Sequence, residues 1–251
     1  MKIAFIGDSF CANYGSGSWL DIVLKEYNAE MLCQGRGGTA LFHAYEDLLG
    51  IINEADYIIL CITDAFRIPN RFGIPFDPTW LSRISWNFKK LLGNPGSFLI
   101  GEQHEKAVKA GKWYYNEIMS FEFHQVAQKG ILMQMDELML QKKKKCIWFP
   151  CFDNEMSMQS YIPKSGPIAS HHLNLISNAE FGGNLKESAR VKRLVEETGN
   201  DGRFNHLNVR NNRNMAKLIM DIIRSNNFKP REIDMKDYFE GLEGEKRNGY
   251  T

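Results

Sequence analysis

Short apolar runs alternate with amphipathic segments over the first 63 residues. Three runs have the length and the turn-residue boundaries of buried strands: 2–6, 30–33 and 56–62. The segment from Ser18 to Tyr27 predicts a helix with Ser18 as its N-cap, and the segment from Ala40 to Asn53 predicts a second helix. The run at 56–62 is apolar throughout, which is typical of a central parallel strand covered on both faces.

The resulting β-α-β-α-β order predicts a parallel sheet with right-handed crossovers. We therefore expect an α/β fold, a three-layer α/β/α sandwich around a flavodoxin-like parallel sheet of about five strands. In such sheets the functional loops gather at the carboxyl ends of the strands. The search for chemistry therefore begins with the residues that follow each predicted strand.

The remainder of the chain is less regular. Residues 65–97 contain several prolines and predict a long loop, and residues 102–141 have helical periodicity with a break near Gly130. We interpret about 78–141 as a helical insertion. Cys146–Pro150 predicts a further strand and Asn208–Ser225 an amphipathic helix. Residues 1–228 then form a single domain, and 229–251 form a charged C-terminal tail that we expect to be frayed.

Composition narrows the possible partners and compartments. The 251 residues include 31 Lys and Arg against 30 Asp and Glu, so the charge balance does not call for nucleic acid as a partner. The five cysteines are odd in number and lack C-x-x-C spacing, which favours reduced, buried thiols. No window approaches the ~18 apolar residues of a membrane span. We expect a cytoplasmic protein that does not contact a membrane.

Three loops after predicted strands carry groups suited to acyl transfer. Ser9 follows the first strand in a Gly-Asp-Ser sequence, where its hydroxyl is presented for attack, although it could equally cap a helix. The glycine-rich segment 35–39 follows the second strand and can aim backbone N–H groups at an oxyanion or at a phosphate. His206 lies in a loop before the last long helix and could act as general base, with Asp201 orienting its ring.

Taken together, these loops resemble the sequence blocks of the SGNH/GDSL hydrolase superfamily, in chain order. Four segments carry the resemblance: Lys2–Ser9, Gly35–Thr39, Cys61–Asp64 and Asn205–Asn208. The resemblance implies that Ser9 is the nucleophile, that the N–H of Gly38 contributes to the oxyanion hole, and that His206 is the base. It also implies that Asp8 holds its loop through backbone N–H groups and is not a base.

Two positions depart from the family pattern. Thr63 stands where the family has an Asn whose side chain donates to the oxyanion, and its hydroxyl offers a shorter donor. Arg203 stands where D-x-x-H would place the acid, whereas Asp201 lies five residues before His206. Either the loop at Gly202 brings Asp201 round to His206, or a Ser-His dyad works with a backbone carbonyl as orienting group.

Other residues of these loops have weaker assignments. Arg67 and Asp64 could line the mouth of the site and bind a polar or anionic part of the substrate, or could form a structural pair. Cys11 lies too far along the turn to replace Ser9, but it could line the pocket. A metal site built on His171 and His172 is discounted, because adjacent histidines point apart and no H-x-x-x-H spacing occurs.

The sequence thus predicts a serine esterase without a cofactor or metal, acting on a small-molecule or carbohydrate ester. Aromatic residues in the loops suit sugar stacking and favour a carbohydrate O-acetylesterase: Phe66, Phe72, Phe76, Trp80 and Tyr161. A phosphate or nucleotide site is the first alternative, but no Walker A or G-x-G-x-x-G motif occurs. A catalytically degenerate member of the superfamily, serving as a binding or assembly module, is the second.

Overall fold

The computed structural model describes residues 1–13, 17–69, 102–152, 161–176, 207–239 and 242. Within these ranges six strands are found: Lys2–Gly7 (β1), Glu30–Cys33 (β2), Tyr57–Ile62 (β3), Lys145–Pro150 (β4), Ile168–Ala169 (β5) and Glu232–Ile233 (β6). The same ranges contain five α-helices: Trp19–Glu26 (α1), Leu41–Ile51 (α2), Glu102–Trp113 (α3), Phe121–Gln141 (α4) and Val209–Ser225 (α5).

The six strands form one parallel sheet in the order β2-β1-β3-β4-β5-β6. This is the flavodoxin-like order with one further strand at the edge, so the predicted α/β class is confirmed and the expected five strands become six. The carboxyl ends of β1, β2 and β3 are adjacent in this order. The loops that follow these three strands therefore meet at one edge of the sheet.

Alternate side chains of the central strands pack into two separate cores. In β1, Ile3 and Phe5 face the cluster that contains α1 and α5, whereas Ala4 and Ile6 face the cluster that contains α2 and α4. All four side chains are fully buried. Helices thus cover both faces of the sheet, and this explains why the strands are apolar without alternation.

Helix α4 is a layer of the sandwich, which corrects the predicted insertion for this part of the chain. Its buried residues Leu132, Met135 and Met139 pack in the same cluster as Trp148 of β4. Ser120 caps the helix by accepting the N–H of Phe123, and a π-helical turn at Tyr114–Ile118 separates it from α3. The predicted break at Gly130 is wrong, since α4 runs through it, and residues 78–101 lie outside the described ranges.

The segment after α5 belongs to the fold. Strand β6 pairs with β5, and Met235, Phe239 and Leu242 are buried in the core against α5. The prediction of a frayed tail from Lys229 is therefore wrong for the described part of that segment. Among all the described residues, no helix is both long and apolar enough to cross a membrane.

Candidate functional site

Ser9 opens a tight turn at the carboxyl end of β1. Gly7 has φ of +132°, and a Cβ there would lie 1.9 Å from the carbonyl oxygen of Cys61 in β3, so only glycine fits. Asp8 caps the following 3-10 turn, Ser9–Cys11, because its Oδ1 accepts the N–H of Phe10 at 3.0 Å. This confirms the expected loop-holding role of Asp8. Its three neighbours in the turn differ in exposure: Ser9 is half-buried, whereas Phe10 and Cys11 are buried.

The glycine-rich loop after β2 runs alongside this turn. The N–H of Gly35 donates to the carbonyl of Cys11 at 2.8 Å, and the N–H of Arg36 donates to the carbonyl of Gly7 at 3.0 Å. A Cβ on Gly37 would lie 3.8 Å from the Cβ of Ser9, and Gly38 has φ of +76°. The structure thus brings the predicted nucleophile and the predicted oxyanion loop together, although the role of the Gly38 N–H stays a prediction.

Thr63 lies at the end of β3 and is buried, and its hydroxyl is already engaged. The Oγ1 of Thr63 donates to the carbonyl oxygen of Thr39 at 2.9 Å and accepts a hydrogen bond from Nη1 of Arg67 at 2.8 Å. A hydroxyl has one proton, so this arrangement leaves Thr63 none to donate to an oxyanion. The predicted donor role of Thr63 therefore does not match its hydrogen bonding in the structure.

Arg67 is buried and pairs with Asp8, which differs from its predicted place at the mouth of the site. Its Nη1 lies 3.2 Å from Oδ2 of Asp8, and its guanidinium carbon lies 4.9 Å from the ring centre of Phe152. Asp64, the partner considered from the sequence, instead accepts the N–H of Phe66 at 2.8 Å. The pairing of Arg67 joins residues that are 59 positions apart, and no local pattern signals it.

Burial and charge act in opposite directions on Asp8. Removal from water raises the pKa of its carboxyl above the usual value, while the charge of Arg67 and the hydrogen bond from Phe10 lower it. The carboxyl is fully buried, so it is not placed to exchange protons with a substrate in solvent. This geometry agrees with a structural role for Asp8.

Three buried cysteines surround the base of the turn. Cys11, Cys61 and Cys151 have no solvent exposure, and burial is the main cause that raises the pKa of each thiol well above its usual value. These thiols are therefore protonated at neutral pH and are poor nucleophiles. Cys11 could line the pocket according to the sequence, but its side chain is enclosed in the structure, whereas Ser9 is the partly exposed residue of the turn.

His206 and Asp201 lie outside the described residues, but the residues that follow His206 are described. Leu207 is buried in the same cluster as Phe10, which belongs to the turn Ser9–Cys11, called the serine turn from here on. Asn208 caps α5, and Asn212 of that helix accepts the N–H of Trp19, whose indole N–H donates to the carbonyl of Phe10 at 2.9 Å. Leu207 therefore lies on the same face of the sheet as Phe10.

Sequence reasoning missed a polar group at the end of β5. Ser170 and His171 are fully buried, and Oγ of Ser170 lies 2.6 Å from Nδ1 of His171. Ser170 also accepts the N–H of Met235, so this group ties β5 to the segment after β6. Within the described ranges no cluster of His, Cys, Asp or Glu could hold a metal ion.

These features define a doubly wound α/β protein with a half-exposed serine at the carboxyl end of its first strand. Models of protein families give no match to the chain, and neither do curated proteins. Among solved structures, a lipolytic protein of the G-D-S-L family from Desulfitobacterium hafniense DCB-2 is similar, with 12% identity and a TM-score of 0.32 over 60% of this chain. The match spans 59% of the length of that protein.

A second similar structure is the psychrotrophic esterase EstA from Pseudoalteromonas sp., inhibited by monoethylphosphonate. It is 11% identical, with a TM-score of 0.40, and the match covers 90% of this chain and 99% of that one. Both likenesses are too distant to bear on activity. The fold class rests on the strand order and layers described above.

Proposed function

We propose that this protein is a serine esterase of the SGNH/GDSL type, with Ser9 as nucleophile and His206 as base. The observation that carries the proposal is the half-buried Ser9, which begins a capped turn at the end of β1 beside the glycine loop after β2. Acyl transfer needs a hydroxyl nucleophile close to backbone N–H donors, and the short distance between Ser9 and the glycine loop supports this assignment. The neighbouring thiols do not compete with Ser9, because burial keeps them protonated.

The proposed reaction has two steps. Oγ of Ser9 attacks the ester carbonyl while His206 accepts its proton, and the N–H groups of Ser9 and Gly38 stabilise the oxyanion. The C–O bond then breaks, and His206 returns the proton to the departing alcohol. In the second step His206 deprotonates a water that attacks the acyl-enzyme, which releases the acid and restores Ser9.

The orienting group for His206 and the nature of the ester are the finer parts of the proposal. Asp201 is assigned to hold the second ring nitrogen, with a backbone carbonyl as its substitute. The substrate class is a small-molecule or carbohydrate ester, and O-acetylated carbohydrate is our first choice. Of the aromatic residues that suggest sugar stacking, Phe66 and Tyr161 are described, and both are half-buried.

The hydrogen bonding of Thr63 favours a second candidate function. The hydroxyl of Thr63 donates its one proton to the carbonyl oxygen of Thr39, so it is not available to an oxyanion. Loss of one oxyanion donor typically lowers turnover by about 10²–10³-fold. A chain with the fold but with too few oxyanion donors would serve as a binding or assembly module. The two candidates differ in whether Ser9 reacts.

Labelling with a fluorophosphonate probe, read by intact-protein mass, tests the proposal. We expect stoichiometric labelling of the wild type, no labelling of Ser9→Ala, and labelling slowed by at least about 10³-fold in His206→Ala. Ser225→Ala is the matched control, since this serine ends α5 away from the serine turn, and it should label as the wild type does. Absence of labelling in wild-type protein that is folded by circular dichroism would refute the esterase and favour the binding module.

A further inference from the structure

A hydrogen-bond network links the three loops of the site. Nη1 of Arg67, after β3, donates to Oδ2 of Asp8 at 3.2 Å and to Oγ1 of Thr63 at 2.8 Å. Thr63 donates to the carbonyl oxygen of Thr39 in the loop after β2, at 2.9 Å. The single hydroxyl proton of Thr39 has two acceptors within reach, the carbonyl oxygen of Arg36 at 2.9 Å and that of Gly7 at 3.1 Å, so the network does not close through Gly7.

We propose that Arg67 is a positioning residue for Ser9, which holds the serine turn and the glycine loop together through this hydrogen-bond network. The inference rests on the proposed esterase function. It replaces the earlier expectation that Arg67 binds an anionic part of the substrate. The network includes Asp8, directly before Ser9, and the carbonyl group of Thr39, directly after Gly38, so it controls the distance between the nucleophile and the oxyanion donors.

The position of the guanidinium supports a role beyond packing. Arg67 is nine-tenths buried, and its Nε has no hydrogen-bond partner among the described residues. Burying an unpaired donor is unfavourable, so a residue that only filled space here would more stably be apolar. What the arginine adds is one nitrogen that donates both to Asp8 and to Thr63, together with a positive charge.

Arg67 also governs the ionisation of Asp8. The other titratable groups that face Asp8 within the described ranges are the thiols of Cys11, Cys61 and Cys151, which burial keeps neutral. Arg67 is thus the charged neighbour that favours the carboxylate against burial. Without it the pKa of Asp8 rises further, and as the pH falls through that higher value the charged acceptor of the Phe10 N–H becomes a weaker, neutral one.

The test compares Arg67→Gln, Arg67→Lys and the double variant Asp8→Asn/Arg67→Gln with the wild type, using p-nitrophenyl acetate. This substrate has no anionic group, so loss of a substrate contact would not affect it. We expect kcat of Arg67→Gln to fall about 10²-fold, as for a misplaced nucleophile, with KM within about threefold of the wild-type value. Arg67→Lys keeps the charge and should recover at least about tenfold of that loss.

The pH profile gives a readout that a purely structural role would not move. In Arg67→Gln the acid limb of kcat should lie at higher pH than in the wild type, and in the double variant this displaced limb should be absent because the carboxyl is gone. If Arg67→Gln does not fold, the same shift, smaller in size, is expected in Arg67→Lys.

The failure of this inference differs from failure of the esterase proposal. A wild type that no fluorophosphonate labels refutes both. If the wild type is labelled and active, the positioning role alone is refuted by either of two results for Arg67→Gln. Its kcat and the acid limb of its pH profile could equal those of the wild type, or KM could be the only value that changes. An Arg67→Lys variant no more active than Arg67→Gln also refutes it, because the charge would then have no effect.

Discussion

Gly35 is a position where a single added methyl group should directly disturb the serine turn. A Cβ built on Gly35 would lie 2.3 Å from the carbonyl oxygen of Asp8 and 2.4 Å from Sγ of Cys11. The first contact is with backbone, and the peptide that carries this oxygen leads into Ser9. Relief of the clash in Gly35→Ala must therefore separate the glycine loop from the serine turn.

The expected cost follows from overpacking of a well-packed site. Such insertions destabilise by about 1–3 kcal/mol. In a chain of this length each kcal/mol lowers Tm by about 2–4 °C, so we expect a fall of about 2–12 °C in a thermal melt. Because the displaced peptide positions Ser9, fluorophosphonate labelling should slow by about 10²-fold, more than the loss of stability alone explains.

Gly37→Ala is the matched control in the same loop. Its Cβ would lie 3.8 Å from the Cβ of Ser9, which is an ordinary van der Waals contact. We expect its stability to remain within about 1 kcal/mol of the wild type. The reasoning would be refuted if Gly35→Ala melted and labelled as the wild type does, or if Gly37→Ala were equally impaired.

Three further predictions test other parts of the fold. Met235→Ala should lower the free energy of unfolding, measured by urea denaturation, by about 2–5 kcal/mol, because Met235 is fully buried. As the control, Lys236→Ala changes an exposed neighbour and should alter this free energy by less than about 0.5 kcal/mol. Asp136→Ala should lower the same free energy of unfolding by about 3 kcal/mol, because the Asp136 carboxylate accepts hydrogen bonds from the Tyr161 hydroxyl and from two backbone N–H groups, at 2.8 Å each. A variant as stable as the wild type would contradict this. A thiol reagent at pH 8 should modify the native protein at least about 10²-fold more slowly than free cysteine, since burial raises the pKa of even the half-buried Cys33 to about 12. In guanidinium, which unfolds the protein, all five cysteines should react.

The strands and helices of the first 63 residues follow from the sequence because their pattern is local. Apolar runs at 2–6, 30–33 and 56–62 correspond to β1, β2 and β3 within one residue at each end. Ser18 and Asn208 both cap the helices expected to follow them, since each side chain accepts a backbone N–H three residues on. For a given strand order, the preference for right-handed crossovers then fixes which face of the sheet each connecting helix covers.

Strands β5 and β6 could not be predicted in the same way. Each has two residues, and a two-residue segment has no periodicity to detect. Their pairing depends on contacts distant in sequence, including the N–H of Ile168, which donates to the carbonyl of Arg231. The charged composition after Lys229 suggested a frayed tail, although Met235 and Phe239 lie within that segment and are buried.

In the site as well, the positions of residues could be predicted from the local sequence, whereas the hydrogen bonds between loops could not. The serine turn and the glycine loop lie where sequence blocks placed them, because strand ends fix both. Thr63 also occupies its expected place, yet its hydrogen bonds depend on Arg67, four residues on, and on Thr39 in another loop. The position of a residue at the end of a strand can therefore be predicted from the sequence, whereas its chemical role depends on the neighbours that it contacts in the fold.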